Sequence, residues 1–322
     1  MKQTSELRFP RLTALAALAL ACSFALACDA EATSDNDETG GSTSSGNGGG
    51  SAKGGSTGSG GASNTGNGGA TTGNGGATTG TVGFGSPAQA GSGSTNDRWA
   101  KAAVTRDGVN YFFMANGWGP GFQSQSISYT GTSFTITSMQ GMRGTNYEPA
   151  SYPTVFCGAY SDSKSGECGL PNALSSINTL RTGWRWKPNG NTGQYNAAYD
   201  IWLSNTNATS GLSAYLMVWL RDPPGQQPAG RVQQQGITVA NTPGTWNLWV
   251  GTVSNVPYVA YVRPEGNDSL ELEFDVMDFV RDTKTRSISL PGSQIVGVAV
   301  GFEIWAGPIT NLVSEDFYVK VN

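Results

Sequence analysis

The stretch SAYLMVWLRD, residues 213–222, alternates with a period of two. Ala214, Leu216, Val218 and Leu220 fall on one side, and Tyr215, Met217 and Trp219 on the other. A two-residue period is that of a strand, whose successive side chains point to opposite faces. One face is small and aliphatic, as a core requires. The other is large, aromatic and partly polar, so it must meet something other than the core.

Other segments repeat the pattern. In YNAAYDIWL (195–203) Asn196, Ala198, Asp200 and Trp202 share a side, and in GFEIWAG (301–307) Gly301, Glu303 and Trp305 do. In GWRWKP (183–188) Trp184 and Trp186 fall together. Faces that combine acids with indoles are too polar for the middle of a sandwich. They predict a concave, solvent-facing cleft floored by aromatic rings, on which sugar rings stack while acids and amides bond their hydroxyls. Short alternating runs separated by Gly, Asn, Pro and Ser continue to the C-terminus, and only FDVMDFVRDTK (274–284) offers a helical stripe, through Val276, Met277 and Val280. The expected architecture is all-β, a sandwich of two antiparallel sheets with at most one short helix.

The first third of the chain reads differently. Lys2, Arg8 and Arg11 precede the apolar run LTALAALALACSFALAC (12–28), the pattern of an export signal and too short for a comfortable membrane span. Cys22 and Cys28 each follow Ala-Leu-Ala, which resembles a lipobox. Cys28 is the preferred lipidation site, with Cys22 as the alternative, and a lipid there would tether the protein without spanning the membrane. Residues 29–94 are Gly, Ser, Thr, Asn and Ala, with NGGATTG in tandem at 67–73 and 74–80, and have too little apolar surface to offset their ordering entropy. They read as a disordered linker, and 95–322 as one globular domain, since all nine tryptophans lie there.

Composition narrows the function classes. The chain carries 19 Lys and Arg against 23 Asp and Glu, a net charge of −4, so it offers no electrostatic footprint for nucleic acid. It contains no histidine, which removes His-dependent triads and most transition-metal sites; no metal or cofactor is expected, and catalysis falls to carboxylates, hydroxyls or tyrosines. Cys157 and Cys168, close together in an exported chain, read as a loop-stapling disulfide.

The order and spacing of several segments resemble glycoside hydrolase family 12, the β-jelly-roll endoglucanases that cut β-1,4-glucans such as cellulose, mixed-linkage glucan and xyloglucan. The segments are YFFMANGWG (111–119), GTSFTI (131–136), SYPTVFCG (151–158), SGECGLPNALSSI (165–177), TGWRW (182–186), NAAYDIWL (196–203), LMVWL (216–220), GFEIWAGP (301–308) and DFYVKV (316–321). The resemblance implies a jelly-roll fold and a retaining mechanism with two glutamates roughly 5 Å apart. It assigns the general acid/base to Glu303 and a supporting acid to Asp200, with Trp118, Trp184, Trp186, Trp202, Met217, Trp219 and Trp305 along the substrate cleft. The nucleophile should immediately precede LMVW, where this chain has Tyr215, and no acid lies between Asp200 and Asp222. Two routes around that loss stay open: Tyr215 as a nucleophile helped by Asp200, or Asp200 as base on a water with Glu303 as acid. The expectation is therefore divided between a β-1,4-glucan hydrolase and a non-catalytic glucan-binding relative, in either case a monomer that is a cell-surface or outer-membrane lipoprotein, or else secreted.

Overall fold

A computed structural model describes residues 83–208 and 210–322; the stretch read as an export signal, Cys22, Cys28 and most of the stretch read as a linker lie outside the described residues. The end of the latter stretch is structured, Gln89–Ala90 pairing with Lys101–Arg106 and Ser92–Thr95 with Phe122–Thr130, so the domain begins before residue 95. Within it the alternation seen in the sequence becomes a β-jelly-roll sandwich. In the larger sheet, Lys101–Arg106, Val109–Met114, Thr154–Tyr160, Gln294–Gly301, Ala197–Ser204, Leu212–Arg221, Val256–Val262, Thr242–Val253 and Arg231–Val239 follow one another edge to edge. The smaller sheet runs Glu271–Asp275, Leu180–Lys187, Leu312–Val321, Ser133–Gly141, Phe122–Thr130, Ser92–Thr95.

One pairing departs from the all-antiparallel expectation. Leu212–Arg221 and Val256–Val262 run parallel, with Tyr215 opposite Tyr258 and Met217 opposite Ala260. A parallel pair needs a crossover rather than a tight turn. Here the long hairpin of Arg231–Val239 and Thr242–Val253 provides it, pairing on to Val256–Val262 from the far side.

The period of two partitions the side chains as expected. Ala214, Leu216, Val218 and Leu220 lie in the main core with Tyr199, Ile201, Val298, Val300, Val259 and Tyr261, packed against Phe134, Ile136, Phe317 and Val319 of the smaller sheet. Met217 and Trp219 lie in a separate cluster with Ala198, Tyr258, Ala260 and Trp305, and Trp202 lies in a third with Phe156, Tyr160 and Ala299. Tyr215 is half-buried and packs against both outer clusters. The larger sheet is therefore apolar on its inner face and aromatic on its outer one.

The helix covers Val276–Thr285. Asp275 caps it, accepting from the Met277 N–H at 3.0 Å, and also accepts from the Leu180 N–H at 2.9 Å, so one carboxylate ties the helix start to the smaller sheet. Phe279 seats the helix in an aromatic nest of Trp246, Tyr261 and Phe274. The expected disulfide joins Cys157 of Thr154–Tyr160 to Cys168 on the loop that follows.

Candidate active site

The outer face gathers its polar chemistry in one row. Register places Ala299, Asp200, Met217 and Ala260 side by side on four adjacent strands, so the Asp200 carboxyl sits mid-sheet between small and apolar neighbours. One row along, Ala198 is opposite both Gly301 and Trp219. Glu303 follows just past the end of Gln294–Gly301, where the chain leaves the sheet before forming the short strand Ile304–Ala306. The alternation survives that break: Phe302 and Ile304 are in the main core and Trp305 in the outer cluster.

Backbone contacts clamp this break from two sides. Ile304 exchanges hydrogen bonds with 150–151, its N–H donating to Ser151 O and its carbonyl accepting from the Ala150 N–H. On the other side the Asn196 N–H donates to Glu303 O, the Glu303 N–H to Asn196 Oδ1 at 2.9 Å, and Asn196 Nδ2 to Glu303 Oε2. Gly301 permits the approach, because a Cβ there would come 2.3 Å from Pro153 O. Asn196 and Glu303 thus form a closed pair that orients the acid.

Both carboxyls are held in unusual states. Burial pushes Glu303 up, the negative charge of Asp200 pushes it further, and the Asn196 amide opposes them, leaving it at about 8. Burial raises Asp200 to about 7, against a smaller downward pull from the Trp202 side chain. Glu303 is therefore largely protonated near neutral pH, as a proton donor must be, and Asp200 is near its midpoint. Asp200 Oδ1 is buried without a hydrogen-bond partner.

Two tyrosines complete the surround, and neither was singled out from the sequence. Tyr152 is fully buried and donates to Ala198 O at 3.2 Å, and Tyr258 donates to Met217 Sδ at 3.2 Å. Burial raises both phenols well above the usual range, and both also feel the charges of Asp200 and Glu303. Asn196 was visible in the alternation, since it shares the Asp200 side. Tyr258 was not, because its position depends on a parallel pairing across some forty residues of chain.

The expected cleft aromatics divide. Trp219 and Trp305 meet, ring centroids 5.8 Å apart, and Trp305 Nε1 donates to Tyr147 O at 2.9 Å. Trp202 lies flat on Tyr160 at 4.3 Å, over a Gly297 whose Cβ would meet the indole at 2.8 Å. Met217 lies beside Asp200, and Trp249 joins the Trp219 cluster from the next strand but one. Trp118 is half-buried on the loop after Val109–Met114, outside both outer clusters. Trp184 and Trp186 are on the wrong side for a cleft. They belong to the smaller sheet and pack inward against Tyr199, Tyr195 and Phe302. Full burial suits them because each indole N–H has an acceptor, Ser314 Oγ at 2.9 Å and Ser269 O at 2.8 Å.

The sequence profile of Glycosyl hydrolase family 12 matches residues 109–322. Among curated proteins, the chain is 30% identical over 136 residues to the "Probable cellulase Cel12b" of Mycobacterium tuberculosis, covering 41% of this chain and 83% of that protein. It is 28% identical over 156 residues to the "Probable xyloglucan-specific endo-beta-1,4-glucanase A" of Aspergillus terreus, covering 47% of this chain and 59% of that one, so the match spans less than two thirds of that relative. Among solved structures, endoglucanase cel12A from Rhodothermus marinus superposes with a TM-score of 0.62 at 31% identity, covering 71% of this chain and 98% of its own.

Proposed function

Because the chain belongs to glycosyl hydrolase family 12, we propose that it takes up β-1,4-glucan across the outer face of the larger sheet, with Glu303 as proton donor and Asp200 as supporting acid. The observation that carries this reading is Glu303: a buried acid raised to about 8, locked to Asn196, facing Asp200 and flanked by the Trp219–Trp305 pair. Such a group has a proton to give at neutral pH; Trp219 and Trp305 are buried beside it rather than open to solvent, and the half-buried Tyr215 and Trp249 packed on them offer the ring surface for a sugar.

Position 215 decides how far the chemistry goes. A retaining glycosidase needs a carboxylate to form the glycosyl-enzyme bond, and Tyr215 offers a phenol, so hydrolysis by that route falls by several orders of magnitude. Glucan binding with very weak hydrolysis is the first reading. A second is favoured by the orphaned Oδ1 of Asp200 and its value of about 7: Asp200 takes a proton from a water that attacks the anomeric carbon while Glu303 protonates the leaving oxygen, inverting the configuration.

Reducing-sugar release from carboxymethylcellulose, barley β-glucan and xyloglucan, alongside binding isotherms for the same polymers, tests both. Binding without turnover in the wild type, with turnover gained in Tyr215→Glu and lost again on adding Glu303→Gln, is the expected result. Wild-type turnover that yields the α-anomer and disappears in Asp200→Asn would replace it with the inverting route. Wild-type turnover that yields the β-anomer and disappears in Tyr215→Phe would make the tyrosine the nucleophile. A wild type that binds none of the polymers overturns the glucan reading.

Export and attachment through a lipid on Cys28, or Cys22, belong to the same proposal, as does a monomeric state. The Cys157–Cys168 disulfide supports an oxidising compartment.

A further inference from the structure

The acid pair leaves part of the polar chemistry on this face without a use. Tyr258 stands opposite Tyr215 in the parallel ladder, yet its hydroxyl leans along the sheet to Met217 Sδ, at 3.2 Å. Met217 is in turn the cross-strand partner of Asp200, so the phenol is carried over the Asp200–Met217 pair. A thioether is a weak acceptor, and a fully buried phenol bonded only to sulfur is poorly satisfied. Two neighbours fare worse. Asp200 Oδ1 and Trp219 Nε1 are both buried with no hydrogen-bond partner. Trp219 is two residues from Met217 on the same face, and its side chain lies close enough to the Tyr258 hydroxyl to pull that phenol down without making a hydrogen bond of normal geometry, whereas the charge of Asp200 pushes it up.

Three under-satisfied groups therefore converge: an acceptor on Asp200, a donor on Trp219 and a hydroxyl on Tyr258 that can serve as either. A buried polar group left unmade is costly, and polar atoms are rarely abandoned together unless something completes them. What fits is a neutral hydroxyl, which can donate to the Asp200 carboxylate and accept from the Trp219 N–H at once. An anionic sugar does not fit, because the site holds no cationic side chain among the described residues and its charge would oppose that of Asp200 once ionised above about 7.

We propose that Tyr258, Asp200 Oδ1 and Trp219 Nε1 form a hydroxyl-recognition subsite in which Tyr258 exchanges its bond to Met217 for one to a sugar oxygen. The proposal rests on the glucan reading above and adds Tyr258 as a substrate-contacting residue. Specificity follows from geometry: the subsite reads one ring hydroxyl, whereas the half-buried rings of Tyr215 and Trp249 on the same face meet ring faces.

The test is calorimetric titration of cellotetraose and of its monodeoxy analogues into the wild type and Tyr258→Phe, a change that keeps the ring and removes only the hydroxyl. One deoxy analogue should bind the wild type about tenfold more weakly than cellotetraose does, the scale of one hydrogen bond. Tyr258→Phe should lose a similar factor on cellotetraose and no longer distinguish that analogue. Equal affinity of Tyr258→Phe and wild type for cellotetraose, or an unchanged ranking of the analogues, overturns the subsite while leaving the glucan reading intact. Failure of the wild type to bind cellotetraose and every tested polymer removes both. The wild-type ranking alone is a fold-independent measurement, and if no analogue loses affinity the proposal fails there.

Discussion

Asn196 governs Glu303 twice over, through a backbone clasp and through an amide N–H on Oε2. That amide stabilises the ionised form, so it pulls this acid down against burial and Asp200. Asn196→Ala should therefore move the Glu303 midpoint above about 8, read by carbon-13 NMR titration of the carboxyl; an unchanged or lower midpoint would show that the bond does not form. At position 215 the difficulty is one of register. A glutamate there stands opposite Trp202 and Tyr258 and one row from Asp200, so Tyr215→Glu adds a third acid to a face that already holds two. The Asp200 and Glu303 midpoints should both rise in that variant, since like charge disfavours ionisation.

At the scale of elements, Asp275 and the crossover hairpin matter most. Asp275 caps Val276–Thr285 and also takes the Leu180 N–H, so its loss releases a helix end and a strand end together. Asp275→Ala should cost about 1 to 2 kcal/mol in chemical denaturation, the upper part of the range for an N-cap, and a loss below a few tenths would mean the cap is idle. The hairpin of Arg231–Val239 and Thr242–Val253 has a topological effect: it delivers Val256–Val262 parallel to Leu212–Arg221 and so brings Tyr258 to the acids. Most strands, the side chains that share a strand face and the helix at 276–285 were legible in periodicity; Lys101–Arg106 and the largely polar Phe122–Thr130 were not, having too little apolar alternation to mark them. The parallel pairing was not, because nothing local in YVAYV names its partner. The same limit misplaced Trp184 and Trp186: alternation put them on one face of their strand, but which sheet that strand joins decided that the face looks inward.

For the whole molecule, the raised acids make stability depend on pH in an unusual direction. Glu303 at about 8 and Asp200 at about 7 bind protons more tightly when folded than when unfolded, where ordinary values near 4 apply. Their contribution to stability is fully present below about pH 4, is lost as pH rises through the interval up to about 8, and is gone above it. Asp222, also raised to about 7 by burial and the charge of Glu265, adds to the same slope from outside the site. Thermal melts should show the decline, and Glu303→Gln with Asp200→Asn should flatten most of it. A melting temperature that rises across the interval in the wild type would contradict these midpoints.

The sequence by itself determined the fold class and which side chains share a face of each strand, and it offered Glu303 and Asp200 as candidates, because a period of two and the order of motifs are local properties of the chain. It also showed that position 215 lacks a carboxylate. Only the tertiary structure decided that Asn196 clasps Glu303, that Trp184 and Trp186 are core, and that Tyr258 leans over Asp200 beside Trp219. Those outcomes depend on which strands become neighbours and in what direction they run, and burial among such neighbours is what raises the acids and leaves polar atoms waiting for a partner.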